Sequence, residues 1–456
     1  MSSKIIIIGA GPAGYVAGIR AAQLGADVTV IEKERVGGTC LNRGCIPMKA
    51  LLGSVQTIRS AREAEEFGIE INEIKLNLLK MQEKKQEIVD KLTSGIEKLF
   101  QAKGVKYIKG TAKIVSRNKV RINDEELVAD KIIIATGGRA AKLPFLDFSH
   151  SAVLTSKEGL ELTEIPESML ILGGGVIGCE FATIFNVIGT QVTIVEMMSQ
   201  ILPLEDKRVA QQMQTILKKR GVKILTKTKV EEIKEYKSDG LVALLSNGQE
   251  VYCNKLLVSM GIQPNTEELG LEEVGINRDD RGFITVNDRM ETNVEGIYAA
   301  GDVNGGMLLA YVASAEAIVA VENALGANQK MNYDIIPSCI FTQPEIGTVG
   351  ITPDKAKEMG VEVKVGRFLF GASGKALAIR EGQGFVQLVV DKESDLILGA
   401  QIMGPHAVDL VHEVALAMKL KATANDLGNL IHGHPTLSEA VMEAARHAHG
   451  KAIHTT

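Results

Sequence analysis

Residues 4–32 read KIIIIGAGPAGYVAGIRAAQLGADVTVIE, and residues 168–196 read SMLILGGGVIGCEFATIFNVIGTQVTIVE. Each stretch opens with an apolar run of strand length and passes through Gly-x-Gly-x-x-Gly into a helix-length segment. A second β-branched run follows, closed by a glutamate. Glu32 follows Gly9 by the same interval that separates Glu196 from Gly173. A glycine fingerprint alone is weak. A strand before it, a helix after it and an acidic residue at the end of the next strand make the setting in which it binds a dinucleotide. Gly9 and Gly173 permit the tight turn, while Gly11 and Gly175 let backbone approach a pyrophosphate. Gly14 and Gly178 allow close helix–strand packing. N–H groups of the helix's first turn face the phosphates, and Glu32 and Glu196 are placed to accept hydrogen bonds from ribose hydroxyls.

Two such units predict an α/β fold with two Rossmann-like dinucleotide-binding domains. At roughly 150 residues per domain, 456 residues suggest a third. Residues 131–138, KIIIATGG, read as a buried strand ending at Gly137 and Gly138. Residues 290–303, METNVEGIYAAGDV, place Gly301-Asp302 at a strand end, where open α/β sheets bind ligands. The first domain is therefore expected to be split into residues 1–145 and 263–336, with residues 146–262 inserted as the second. Between the fingerprints, residues 50–103 read as helical, with Ile88, Leu92, Ile96 and Leu99 on one face and a solvated mixture of charges around them. From residue 337 the pattern changes to strand-like runs (FVQLVV, LILGAQIMG) and then helices at 406–420 and 437–449. Residues 337–456 thus form an α+β unit.

Composition narrows the function. Lys and Arg number 51 against 56 Asp and Glu, so the formal charge of −5 lacks the basic excess of a nucleic-acid binder. Trp is absent and aromatics make up 4%, which leaves no stacking platform for single strands. No run approaches 18 apolar residues, so no membrane span is expected, and the glycine-broken stretch near the N-terminus does not read as a signal peptide. Five cysteines are too few for a disulfide scaffold and fit a reducing, cytoplasmic compartment.

Cys40 and Cys45 lie in GGTCLNRGCIPMK, directly after the first fingerprint. Zinc would want further Cys pairs, and none follows, so no metal is expected. Five residues of regular helix rise about 7.5 Å, beyond the roughly 7 Å limit of a disulfide. Bridging needs a distorted turn, which Gly44 and Pro47 can supply, and a disulfide under such constraint is reducible. Two buried free thiols are the bland alternative. Cys179, Cys253 and Cys339 sit in or beside apolar runs and read as core residues. In His434-Pro435-Thr436-Leu437-Ser438-Glu439, proline keeps His434 extended, and Glu439 falls in the first turn of a helix. A carboxylate on one ring nitrogen makes the other a competent acid/base. His432 reads as a neighbour, and His447, His449 and His454 as a frayed helix end. Two dinucleotide sites and a redox dithiol imply electrons passing between a nicotinamide and a disulfide, a transfer that needs a flavin as mediator. A base must also take the proton when a substrate thiol attacks, and His434 is offered for that task.

From GAGPAG at 9–14 to HPTLSE at 434–439, these residues resemble the flavoprotein disulfide reductases, and among them the dihydrolipoamide-oxidising members. The resemblance implies FAD at the first fingerprint and NAD at the second, with Gly137 and Gly301-Asp302 also at the flavin. Cys45 would face the flavin and Cys40 would meet substrate. Lys49 would sit near the isoalloxazine and pair with Glu180. FTQPEIGTVG at 341–350 resembles the opening of a dimerisation domain. It further implies a homodimer in which His434 and Glu439 of one subunit serve the cysteines of the other, and lipoyl domains of 2-oxo acid dehydrogenase, acetoin or glycine cleavage complexes as partners. Two positions depart from the family pattern: Met48 replaces a serine, and Tyr311 a histidine. Glutathione- and mercuric-reductase-like activities are the rivals, disfavoured by Glu196, which would repel a 2′-phosphate, and by a C-terminal KAIHTT without cysteines. A nucleotide-binding assembly subunit is the non-enzymatic alternative.

Overall fold

The structure is a computed structural model and describes residues 2–454. The chain divides into two compact units, residues 1–165 with 257–331, and residues 166–256 with 332–456.

In the first unit, strand β1 (Lys4–Ile8) leads into helix α1 (Pro12–Gln23) and strand β2 (Asp27–Glu32), which pairs with β1 in parallel. A five-stranded sheet follows the order 297–299, 131–134, β1, β2 and then β3 (Lys106–Lys109), every neighbour parallel. β1 and the strand 131–134 are continuous isoleucine runs because both faces are covered. One face packs on α1 and the helix Ala310–Ala324, the other on the antiparallel meander formed by residues 112–128. Pro12 at the first helical position starts α1 without wasting an N–H.

Helix α2 (Gly38–Arg43) and helix α3 (Cys45–Arg62) follow β2. The expected continuous helix to residue 103 is interrupted. A short 3-10 turn ends at Gly68 in the left-handed conformation, residues 69–77 run without regular structure, and α4 (Leu78–Lys103) starts after the Asn77 cap. The expected apolar face of α4 is also corrected. Ile88, Leu92 and Leu99 are exposed, and the buried face carries Lys85, Val89, Thr93, Ile96 and Phe100. Periodicity could not find this face because two of its positions are polar. Both are satisfied: the Lys85 ammonium donates to the Leu160 carbonyl at 3.0 Å, and the Thr93 hydroxyl to the Val89 carbonyl at 2.9 Å.

The second unit repeats the opening motif, with parallel strands Ser168–Leu172, Gln191–Val195 and Lys223–Leu225 and the helix Val176–Ile188. Its C-terminal part is an antiparallel sheet in the order 338–340, 345–350, 397–404, 385–391, 363–369. The helices Ala407–Lys419 and Glu439–His447 contribute to its core. The last described residues, 447–454, are anchored, where a frayed helix was expected. His447 Nδ1 accepts from the Arg367 N–H at 3.1 Å, and His449 lies 3.1 Å from Asp395. The N–H groups of Ile453 and His454 reach the buried Glu443 carboxylate at 2.9 and 3.2 Å.

Candidate functional site

At the first fingerprint, Gly9 has φ +102°, and a Cβ there would lie 2.2 Å from the Ala135 carbonyl oxygen. A Cβ on Gly14 would lie 1.9 Å from the Gly9 oxygen, so α1 is pressed against the turn that precedes it. Gly11 differs: a Cβ there meets only the Gly38 Cα, at 3.7 Å, and on Gly175 in the second fingerprint it meets nothing within 4 Å. Room in front of a helix N-terminus at these two positions fits the pyrophosphate of a dinucleotide. Gly173 takes φ +99°, close to its counterpart Gly9.

Both glutamates hold these turns in the same way. Glu32 accepts the Ala10 N–H on Oε2 and the Glu34 N–H on Oε1, each at 2.8 Å. Glu196 accepts the Gly174 and Met198 N–H groups, each at 2.7 Å. Each oxygen retains a second lone pair with which to accept a ribose hydroxyl. Burial raises the Glu32 carboxyl against the lowering by the Ala10 N–H and by Lys33 and Arg43.

Gly301, at φ +82°, is squeezed between α1 and the helix Ala310–Ala324; its Cβ would stand 3.2 Å from those of Ala13 and Ala313. Sequence reading missed the residue that fixes it. Glu316, 1% exposed, accepts the Gly301 N–H at 2.7 Å and the Asn304 amide at 2.9 Å. It stands a helix away from Gly301 and no spacing motif marks it. Asp302 beside it has its carboxyl raised by burial. Gly137, at φ +65°, offers its carbonyl to the Asn265 N–H at 2.9 Å.

The dithiol sits at a helix break. Cys40 is in α2, Cys45 opens α3, and Gly44 separates the two helices. A Cβ on Gly44 would be 3.0 Å from the Thr39 oxygen, so the close approach that folds one helix back on the next requires glycine. The break brings the two sulfurs within hydrogen-bonding reach, as thiols. That hydrogen bond, then burial, pushes the Cys40 thiol well above its ordinary range, and the Lys49 ammonium pulls it back. Lys49 stands one turn after Cys45 in α3. Met48 is buried and Tyr311 exposed. Cys179 and Cys253 are fully buried, with thiols pushed up chiefly by burial; Cys339 is half-buried.

In the second unit, His434 Nδ1 lies 2.9 Å from Glu439 Oε1, and Glu439 Oε2 accepts the Thr436 N–H at 2.9 Å. Glu439 is the first residue of its helix. Burial would raise its carboxyl, but the Thr436 N–H and His434 hold it below the usual range. The His434 side chain is 79% exposed, so its Nε2 is available to a substrate. The His432 side chain is 5% exposed, with one ring nitrogen 3.0 Å from the Leu430 carbonyl and the other 2.8 Å from Glu413, so both positions are taken. Glu180, 3% exposed, accepts the Phe341 N–H at 3.0 Å.

The family model described as pyridine nucleotide-disulphide oxidoreductase matches residues 3–317, and its dimerisation domain matches residues 336–445. A dihydrolipoyl dehydrogenase of Bacillus subtilis is 44% identical over 99% of this chain and 98% of its own length. One from Thermus scotoductus is 42% identical with the same coverage. Among solved structures, LpdA from Mycobacterium tuberculosis superposes with a TM-score of 0.92 at 27% identity, over 97% of this chain and 99% of that one. The HOCl-induced flavoprotein disulfide reductase RclA from Escherichia coli gives 0.88 at 28% identity, over 96% and 98%.

Proposed function

The chain belongs to the pyridine nucleotide-disulphide oxidoreductases, and on that premise we propose that it oxidises protein-bound dihydrolipoamide to lipoamide, with FAD and NAD+ as its cofactors. The observation that carries this reading is the Cys40–Cys45 pair at the Gly44 break, with Lys49 one turn away. When bound, FAD would supply the two-electron relay between the dithiol and NAD+.

The chain's own residues do the rest. His434 Nε2 takes a proton from a substrate thiol, while Glu439 holds the other ring nitrogen and stabilises the imidazolium. The substrate thiolate attacks Cys40 Sγ, the Cys40–Cys45 bond breaks, and Cys45 leaves as a thiolate. The second substrate thiol then attacks the substrate sulfur of the mixed disulfide, and its proton passes to the departing Cys40 sulfur. Lipoamide leaves with its S–S bond formed, and Cys40 and Cys45 hold the two electrons. Lys49, one turn after Cys45, keeps positive charge beside the Cys45 thiolate. Gly9, Gly11, Gly14, Glu32, Gly137, Gly301 and Asp302 would hold FAD, and Gly173, Gly175, Gly178 and Glu196 would hold NAD. The Glu196 carboxylate at the ribose favours NAD over its 2′-phosphorylated form.

On this reading the chain comprises a split FAD domain (1–145 and 263–336), an NAD domain (146–262) and an interface domain (337–456). The working form is a homodimer in which His434 and Glu439 of one subunit serve the dithiol of the other. The match to a dimerisation domain supports it, as do the exposed Leu416, Leu420, Leu430 and Ile431 in the C-terminal part and Ile88, Leu92 and Leu99 on α4. Partners are lipoyl domains of 2-oxo acid dehydrogenase, acetoin or glycine cleavage complexes, in the cytoplasm; no helix among the described residues is long and apolar enough to cross a membrane.

The decisive experiment compares dihydrolipoamide, glutathione disulfide and Hg(II), each with NAD(H) and NADP(H), on wild-type, Cys40→Ser and Cys45→Ser protein. The expected wild-type preparation is yellow and turns over dihydrolipoamide with NAD+. Either serine variant loses that turnover and still allows NADH to bleach the flavin. Surviving lipoamide activity in either variant would overturn the relay, and colourless protein that rebinds no FAD would overturn the enzymatic reading.

A further inference from the structure

The second unit contains a cavity of about 580 Å³ between the helix Lys207–Lys219 and the strands Val363–Leu369 and Phe385–Asp391. Arg208, Gln211, Gln212 and Thr215 follow one another at helical spacing on the face that lines it, while Val209, Met213, Ile216 and Leu217 are buried. The facing wall carries Arg367, and that guanidinium is held by a buried relay. Its Nε donates to Gln387 Oε1 at 2.6 Å, Gln387 Nε2 to Gln401 Oε1 at 2.7 Å, and Gln401 Nε2 to the Ile351 carbonyl at 3.2 Å. Both glutamines are 1% exposed. Because the Ile351 carbonyl can only accept, it fixes the amide of Gln401, which fixes that of Gln387, which presents an oxygen to Arg367. The arginine is thus anchored by one edge, and its two Nη groups remain for the cavity.

Charge in this place is unbalanced. The Arg208 side chain has no hydrogen bond or ion pair among the described residues, and it faces a second guanidinium. Two carboxylates line the cavity, Asp206 and Asp354; Asp206 is set against the two guanidiniums, and its Oδ1 is already occupied by the Arg208 and Val209 N–H groups at the helix start. Lys207 is paired with Asp354 at 3.1 Å. Burial, then the field of Arg208, lowers the Arg367 pKa against the raising by Asp206. Two guanidinium forks turned into one cavity match a tetrahedral oxyanion. The neutral Gln211, Gln212 and Thr215 beside them suit hydroxyl groups. A second cavity of about 310 Å³ shares Gln212 and Thr215 and continues to Lys219, so the groove is longer than a single ion requires.

We propose that this groove binds a small phosphate-bearing molecule, its phosphate between Arg208 and Arg367 and its hydroxylated body along Gln211, Gln212 and Thr215. The site involves none of the residues assigned to FAD, NAD or the dithiol, and its occupant would tie the helix Lys207–Lys219 to the C-terminal sheet.

The test is calorimetric titration of the FAD-loaded full chain, saturated with NAD+ so that the nucleotide turns are filled, at constant ionic strength. Inorganic phosphate and ribose 5-phosphate are the two probes. Both are expected to bind saturably, one per chain, with the sugar phosphate tighter. Loss of one charge-assisted contact in Arg208→Gln or Arg367→Gln should weaken binding about tenfold or more. Gln387→Leu should also weaken it, by releasing Arg367. Arg208 is exposed, so its variant folds and decides the matter if the other two do not. The proposal is overturned by absence of saturable binding, by equal affinity of the two probes, or by unchanged affinity in Arg208→Gln.

Discussion

Alanine at two glycines of one turn should separate the demands of the fold from those of the cofactor. At Gly14 an added Cβ would stand 1.9 Å from the Gly9 oxygen and 2.7 Å from its carbon, both backbone atoms. Restoring ordinary contact means moving α1 from the turn by about 1.5 Å, an overpacking that costs about 1–3 kcal/mol or more. At about 2–4 °C per kcal/mol, Gly14→Ala should lower the unfolding temperature by several degrees, with FAD loosened as a consequence. Gly11 stands three residues earlier with φ −71° and ψ −171°, values alanine adopts, and its Cβ would make only an ordinary contact. The unfolded chain loses entropy, so the apoprotein of Gly11→Ala should match the wild type or gain about 0.4–1 kcal/mol. Its methyl group would occupy the space proposed for the pyrophosphate, so FAD affinity should fall about tenfold or more. Thermal unfolding of apo- and FAD-saturated protein, with the ratio of flavin to protein absorbance after gel filtration, separates the two effects. Wild-type flavin affinity in Gly11→Ala, or wild-type unfolding in Gly14→Ala, would refute the assignment of these glycines.

Two further outcomes are expected. The Glu443 side chain is 2% exposed, and although burial raises its carboxyl, the N–H groups of His454 and Ile453 with Arg446 hold it below the ordinary value of 4.5. A depressed folded pKa stabilises above the unfolded value, and that contribution disappears as pH falls through the folded one. Glu443→Gln should therefore be less stable at pH 7 by about 1–3 kcal/mol, and the gap should close below about pH 4 in pH-resolved thermal unfolding; a gap independent of pH would contradict the pairing. Alkylation after reduction by NADH should label Cys40 and Cys45 and leave Cys179 and Cys253 unmodified by peptide mass mapping, because the last two are 0% and 1% exposed, whereas Cys45 is exposed and Cys40 half-buried. Early labelling of Cys179 or Cys253 would contradict their burial.

What the sequence disclosed, and what it hid, follows from how far each constraint reaches along the chain. His434 and Glu439 were legible because proline and a helix start lie within six residues and fix their geometry locally. The Cys40–Cys45 approach was legible because the helix rise forbids it without a break and Gly44 supplies one. The α4 face was misread because the core there includes Lys85 and Thr93, polar side chains satisfied by carbonyls that hydropathy does not register. The Arg367–Gln387–Gln401 relay crosses three strands, where registry and not spacing sets neighbours, so no local pattern contains it. The two glutamates explain why the opening stretches matched so closely. In a parallel βαβ unit, the end of the second strand lies beside the turn after the first, whose next N–H has no ladder partner. A carboxylate at that strand end can take this N–H and one from its own following loop. Ala10 and Glu34 on Glu32, and Gly174 and Met198 on Glu196, are the same solution built twice. The interval between glycine and glutamate is therefore fixed by the fold's own need to brace the turn, before any ribose is bound. Removing either carboxylate should disturb the empty turn as well as its nucleotide.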